Sequence, residues 1–321
     1  MGPSSRIQSE CAPLDALTIA RRHLSAGGDI ELQTERLSGG ASNDGLYLHT
    51  ASTSNGETFR FVEKRPKRNR ELIFMEDLYP QLRERGSPYI PEIYAAGERD
   101  GEIFIFMEYV VGCSDASTDL CEHPAQIGRA VASVSTMPID APAKVSVPDH
   151  FAKKLLNQLH AVVSTHCRIN REEEVRVVEW LMENRDAAAD RLSLLPVCHA
   201  HGDVFHENIA LIEADGGTAV DVALLDWGDY RIDRVGTDLF HFAGHADRRR
   251  LMKSSTFTKI LWAYEAGIAD HFGRIDRDLL AFAAASRRLS RKAMNAINGN
   301  ASAIDHALNA AKLTVTMLRN H

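Results

Sequence analysis

The sequence predicts an α+β chain with a small N-terminal lobe of antiparallel strands holding one helix, followed by a larger, mainly helical C-terminal lobe. Three observations predict it. Up to about residue 110, runs rich in β-branched and aromatic residues alternate with turn signals. Beyond residue 112, long Ala- and Leu-rich segments carry apolar residues at helical spacing. The 321 residues, 44% of them hydrophobic, are too many for one small core and suit two lobes. The division is placed at 1–110 and 111–321.

In chain order, PLDALTIARRHLS (13–25) predicts a short helix. Pro13 suits its first turn, Leu14, Leu17, Ala20 and Leu24 fall at helical spacing, and Gly27–Gly28 stops it. Residues 30–64 predict β-structure. There GLYLHTAS and ETFRFVEK form a hairpin turned at Ser54, Asn55 and Gly56. Residues 69–84 predict a helix with Leu72, Met75, Tyr79 and Leu82 on one face, and Pro80 is placed to end or kink it. Residues 91–110 predict two more strands around Asp100–Gly101. The sum is a five-stranded antiparallel sheet with one internal helix. After it, helices are expected over 123–137, 149–165, 171–193, 249–272 and 276–297. One hairpin interrupts them, 208–214 with 220–227, turned at Asp215–Gly216–Gly217.

Composition excludes several classes. Basic residues number 37 and acidic residues 44, a net charge of 37 − 44 = −7, which disfavours a nucleic-acid binder. No run of 18 apolar residues occurs, so no membrane span or membrane partner is expected. The first residues lack a basic and apolar leader, and the five cysteines form no Cys-x-x-Cys pair. A reduced, cytoplasmic chain without structural zinc is therefore expected.

The strongest chemical signal is His201-Gly202-Asp203-Val204-Phe205-His206-Glu207-Asn208, followed by Asp226-Trp227-Gly228. Phosphoryl transfer needs a carboxylate to orient and deprotonate the attacking hydroxyl, and oxygen ligands for Mg²⁺. An Asp and an Asn five apart on a tight loop can supply the base and one ligand, and an Asp at the end of a hairpin can supply the other. Taken singly, each element has a plainer reading. Asp203 and Asp226 could be turn carboxylates. Lys64, beside Arg65, Lys67 and Arg68, could belong to a solvated basic face. His206 reads as a structural or substrate-contact residue, and Cys198 as core filler.

His-Gly-Asp-x-x-x-x-Asn, followed by a hydrophobic strand ending in Asp-Trp, resembles the aminoglycoside phosphotransferase and choline kinase family, which has the protein-kinase-like fold. LSGGASNDGLYL (37–48) is similar to the family's nucleotide-covering loop, and FVEK (61–64) to its lysine strand. IPEIYAAG (90–97) and FIFMEYVVG (104–112) are similar to the strands before its adenine hinge, and GTDLFHF (236–242) to the segment after its metal-binding Asp. The matches run in order over 37–242.

The resemblance implies an enzyme that uses ATP and Mg²⁺, bound between the lobes near residue 111, to phosphorylate a small hydroxylated acceptor. It makes Asp203 the catalytic base, Asn208 and Asp226 the Mg²⁺ ligands, and Lys64 the lysine on the α- and β-phosphates. Ser42 and Asn43 would lie over the phosphates. The backbone of Glu108 through Val110 would hold adenine, with Met107 as gatekeeper. Asp238 would hold the catalytic loop, and His201 would support it. Either Glu71 or Glu76 would pair with Lys64, and Glu71 is preferred because Met75, not Pro80, lies one turn on.

A nucleotide-binding regulator without transfer activity and an aminoglycoside-inactivating kinase remain alternatives, and GTP could replace ATP as donor. A protein kinase is disfavoured, since only ten residues separate Trp227 from Asp238 and no Ala-Pro-Glu follows. Two basic clusters, Arg248, Arg249, Arg250 and Lys253, and Arg287, Arg288, Arg291 and Lys292, read first as solvated faces. Should the second border the acceptor site, it would favour a neutral or anionic metabolite over a polycation.

Overall fold

The computed structural model describes residues 15–24, 29–37, 43–86, 88–110, 122–139, 146–166, 172–213, 220–243, 254–299 and 301–319. Asp15 opens the first helix, α1 (Ala16–His23), by accepting the N–H of Thr18 at 2.7 Å. Pro13, expected in its first turn, lies outside the described residues. Ile19, Ala20 and Leu24 form one core with Ala51, Phe61 and Phe106, each at most 6% exposed, so the helix is held by its apolar face.

The strands β1 (Ile30–Arg36), β2 (Asn43–Thr53), β3 (Thr58–Pro66), β4 (Ile93–Arg99) and β5 (Glu102–Glu108) form the expected five-stranded antiparallel sheet, in the order β1-β2-β3-β5-β4. Asp100 and Gly101, at φ 55° and 80°, turn β4 into β5. Two consecutive positive φ values match the right-handed twist of the strands, and Asp-Gly tolerates them.

The helix expected over 69–84 is two helices, α2 (Arg70–Asp77) and α3 (Tyr79–Arg85). Pro80 falls in the first turn of α3, where its missing N–H costs no helical bond. The chain divides into two compact units, Met1–Leu72 with Pro91–Val110, and Ile73–Ile90 with Val111–His321. Residues 73–90 join the second unit for visible reasons. The Phe74 ring stacks on Trp227 at 4.1 Å, and the backbone of Tyr89 bonds to those of Val222 and Leu224.

The second unit contains α4 (Pro124–Ser135), α5 (Lys153–His166), α6 (Glu172–Glu183), α7 (Arg185–Ser193), α8 (Ser254–Phe272), α9 (Arg277–Ile297) and α10 (Ala301–Arg319). The single helix expected over 171–193 is broken at Asn184, whose side-chain amide donates to the Trp180 carbonyl at 2.8 Å. The expected hairpin is β7 (Ile209–Glu213) with β8 (Val220–Leu224). A second small pair, β6 (Val197–Ala200) with β9 (Arg231–Arg234), and helix α10 were not anticipated; strands of four residues are too short to show an alternating pattern. α4 packs on α8, and α9 packs on α10 and on the turn Thr237–His241. Among the described residues no helix is long and apolar enough to cross a membrane.

Candidate active site

The loop after β6 begins at His201 and Gly202. Their backbone N–H groups donate to the two carboxylate oxygens of Asp238, at 2.7 and 2.8 Å. Asp238 is 3% exposed; burial raises its carboxyl, and these N–H groups oppose that rise. It holds the loop from the turn Thr237–His241, as the resemblance implied. His201 donates from Nε2 to the Leu225 carbonyl at 2.9 Å and accepts the Asp203 N–H on Nδ1 at 3.3 Å. Those partners require a neutral ring, and burial lowers its pKa in the same sense. His201 thus supports the loop and has no spare nitrogen for proton transfer.

Gly202 sits at φ +84°, and a Cβ there would lie 2.0 Å from the Asp229 carbonyl oxygen. Only glycine allows the loop to pass this close to the Asp226–Asp229 turn.

This loop presents Asp203. Its Oδ1 accepts from His241 Nε2 at 2.6 Å, and its Oδ2 lies 3.4 Å from Asn208 Nδ2. Burial would raise the carboxyl, but the hydrogen bond from His241 and the charge of Arg291 help to pull it down to about 2. Asp203 is therefore ionised across the neutral range. Burial lowers the pKa of His241, so its ring donates to Asp203 in the neutral form.

Asn208 also donates Nδ2 to the Asp203 carbonyl at 2.9 Å, which fixes its amide and turns Oδ1 the other way. The hairpin explains how residues 18 apart meet. Ile209 pairs with Leu224, and the N–H of Leu225 donates to the Asn208 carbonyl at 2.9 Å, so Asp226 follows directly beside Asn208. Asp226 itself has φ 58° and ψ 74°, a left-handed conformation uncommon outside glycine, with Oδ1 accepting the Gly228 N–H at 3.2 Å. An amide oxygen and a carboxylate are hard donors that fit Mg²⁺. Among the described residues no group of three or more His, Cys, Asp or Glu is placed to hold a metal ion.

In the first unit Lys64, on β3 between Leu46 of β2 and Ile105 of β5, is 4% exposed. It donates to Glu71 of α2 at 2.5 Å. The solvated-face reading of Lys64 does not hold, and of the two glutamates it is Glu71 that reaches it, while Glu76 is exposed. Asn43 begins β2, and its Oδ1 is buried with no hydrogen-bond partner among the described residues. Ser42 lies outside the described residues. Glu108 ends β5, donates its N–H to the Glu92 carbonyl at 2.8 Å, and is followed by Val110 beyond the strand. Met107 pairs with Val62. One neighbour of Asp203 escaped the sequence reading as a site residue, His241; another, Arg291 of α9, was read first as part of a solvated face. His241 lies inside GTDLFHF, but nothing local in that segment signals that it turns to Asp203.

Residues 33–275 match the family model described as the phosphotransferase enzyme family. The chain belongs to the phosphotransferase enzyme family. Solved structures agree on the protein-kinase-like fold. One is a spectinomycin phosphotransferase in complex with ADP and spectinomycin, 12% identical over 95% of this chain and 99% of that one, with a TM-score of 0.57. Another is an aminoglycoside phosphotransferase from Alicyclobacillus acidocaldarius, 14% identical over 98% of each chain, with a TM-score of 0.59. A third is an ethanolamine kinase from Plasmodium vivax, 10% identical over 90% of this chain and 84% of that one, with a TM-score of 0.57. A search of curated protein sequences finds no match. Identities this low establish the fold of a small-molecule phosphotransferase and leave its acceptor to the chemistry of its own residues.

Proposed function

We propose that this phosphotransferase moves the γ-phosphoryl group of ATP to a hydroxyl of a small molecule, in the presence of Mg²⁺, with Asp203 as the base. The observation that carries the reading is the Asp203 carboxylate, ionised and held from two sides by His241 and Asn208 on a loop clamped by Asp238.

In this reading the acceptor hydroxyl donates to Asp203. Its oxygen forms the new bond to phosphorus, the bond from phosphorus to the bridging oxygen breaks with its electron pair leaving on ADP, and the proton passes to Asp203. A carboxylate pulled down to about 2 is a weak base. That suits a loose transition state, in which the hydroxyl becomes acidic only late and orientation matters more than base strength. Asn208 Oδ1 and the Asp226 carboxylate would hold Mg²⁺, which when bound offsets phosphate charge. Lys64, steadied by Glu71, would face the α- and β-phosphates. Asn43 and Ser42 would lie over them, and the backbone from Glu108 to Val110 would take adenine. The neighbours named for ADP, spectinomycin and ethanolamine support a nucleotide donor and a small hydroxylated acceptor.

The test is release of ADP from ATP with a panel of hydroxylated acceptors, with and without Mg²⁺, beside calorimetry of nucleotide binding. Nucleotide binding without release of ADP for any acceptor would favour the regulatory alternative.

A further inference from the structure

Helix α9 carries four basic side chains, Arg287, Arg288, Arg291 and Lys292; the charges of Arg291 and Lys292 act on Asp203, while Arg287 and Arg288 lie against Phe240. They do not form the solvated face that their spacing suggests. Arg287 is 6% and Arg288 8% exposed. Arg288 Nη1 lies 3.5 Å from the Phe240 carbonyl, one residue before the His241 that donates to Asp203. Arg291 Nη1 pairs with Asp229 at 2.9 Å, three residues after Asp226. Lys292, half-buried, has no carboxylate within ion-pair distance among the described residues.

Arg291 and Lys292 therefore sit beside the proposed base; among the described residues Asp229 is the carboxylate in ion-pair contact with the cluster, and Arg231 shares it at 3.5 Å. Buried positive charge is costly unless it is compensated. Burial lowers the pKa of Lys292, and the like charges of Arg288 and Arg291 lower it further, while Asp203 pulls the other way. Burial and the charge of Arg231 likewise bring Arg287 down to about 10. The five cations, these four and Arg231, outnumber the carboxylates that act on them, Asp203, Asp229 and Asp233, and Lys292, which pairs with none of the three, lies next to the group that would receive the acceptor's proton. Arg248, Arg249, Arg250 and Lys253 lie outside the described residues and take no part in the argument.

We infer that the acceptor carries an anionic group, a carboxylate or phosphate, which Lys292 and Arg291 bind while its hydroxyl meets Asp203. The inference rests on the phosphotransfer reading above and names the acceptor's class. An anion there would supply the missing counter-charge, whereas a polycation would meet like charge in a partly dry setting.

The experiment offers ATP and Mg²⁺ with small hydroxylated compounds of three charges: D-glycerate and glycerol 3-phosphate, then glycerol, then ethanolamine, choline and kanamycin. Release of ADP is measured for the wild type, Lys292→Ala, Lys292→Arg and Lys64→Ala. Direct binding of the two anions is measured by calorimetry on the same proteins. We expect binding and turnover of the anionic class. Lys292→Ala should raise the acceptor KM about tenfold to a hundredfold with the KM for ATP unchanged, and Lys292→Arg should restore most of the loss.

Anion binding lost in Lys292→Ala but kept in Lys64→Ala would uphold the inference even if no ADP were released, and the phosphotransfer reading would then be the part that fails. Turnover confined to neutral or cationic acceptors would overturn the inference and leave the reading standing. So would anion binding insensitive to Lys292→Ala, or absent altogether.

Discussion

His241 Nε2 donates to Asp203 Oδ1 at 2.6 Å across 38 residues of chain, joining the candidate base to the turn whose Asp238 clamps the loop that carries it. One turn thus sets the position of Asp203 twice, through its backbone and through its carboxylate. The pairing also explains why a carboxyl mostly buried in protein stays ionised.

Asp203→Asn should lower turnover roughly 10²–10⁴-fold and leave nucleotide affinity nearly intact, because in the proposed reaction the side chain meets the acceptor and not ATP. Calorimetry beside ADP release separates the two effects. A variant retaining over half of wild-type turnover would remove Asp203 from the role. His241→Ala should reduce turnover less, and His241→Gln, which keeps a donor, less still.

Lys64→Ala should raise the KM for ATP and lower turnover, with Glu71→Ala acting in the same direction more weakly. Glu71 is buried against Lys64 at 2.5 Å, while Glu76 is exposed, so Glu76→Ala should leave both constants near wild type. Steady-state kinetics with ATP varied at saturating acceptor decide the matter.

Removal of Mg²⁺ with EDTA should abolish ADP release, and addition of Mg²⁺ should restore it. Asp226→Ala and Asn208→Ala should each raise the Mg²⁺ concentration needed for half-maximal rate, Asp226→Ala the more so because it removes a full charge. A Mg²⁺ titration of the three proteins is the measurement.

Gly202→Ala should disable the loop through sterics alone. The left-handed backbone costs about 1–3 kcal/mol, and the added Cβ would meet the Asp229 carbonyl oxygen at 2.0 Å. Lost turnover accompanied by a lower urea midpoint is the expected result.

A fifth prediction concerns stability and pH. His150 donates from Nε2 to Asp233 Oδ1 at 3.0 Å, with both residues 1% exposed. Burial would raise the Asp233 carboxyl, but His150 and the Arg234 N–H hold it below its ordinary 3.8. A carboxyl depressed in the folded state stabilises it above the unfolded pKa, and that contribution fades as pH falls through the folded pKa. Asp233→Ala should therefore cost about 1.5–3 kcal/mol at pH 7, the worth of a hydrogen bond to a charged group. Its deficit against wild type should shrink below pH ~4, where the wild type loses the same interaction. Urea unfolding at several pH values checks both statements.

Short-range patterns determined much of this protein. β-rich runs with an Asn-Gly and an Asp-Gly turn specified the five-stranded sheet, and the glycine, Asp203 and Asn208 within one loop carried their own geometry, because residues a few positions apart are tied by the backbone itself. The β7–β8 hairpin likewise made the Asn208–Asp226 neighbourhood readable, since antiparallel pairing converts a fixed separation into contact. Tertiary packing decided the rest. Glu71 and Glu76 sit on one short helix, and only the burial of one side of α2 separates them. Arg287 and Arg288 carry the spacing of a solvated face and yet are covered by the packing of α9 against the Thr237–His241 turn and α10. The contacts of His241 with Asp203 and of Arg291 with Asp229 join residues 38 and 62 positions apart. No local spacing encodes such meetings, because they depend on where whole helices and turns come to rest.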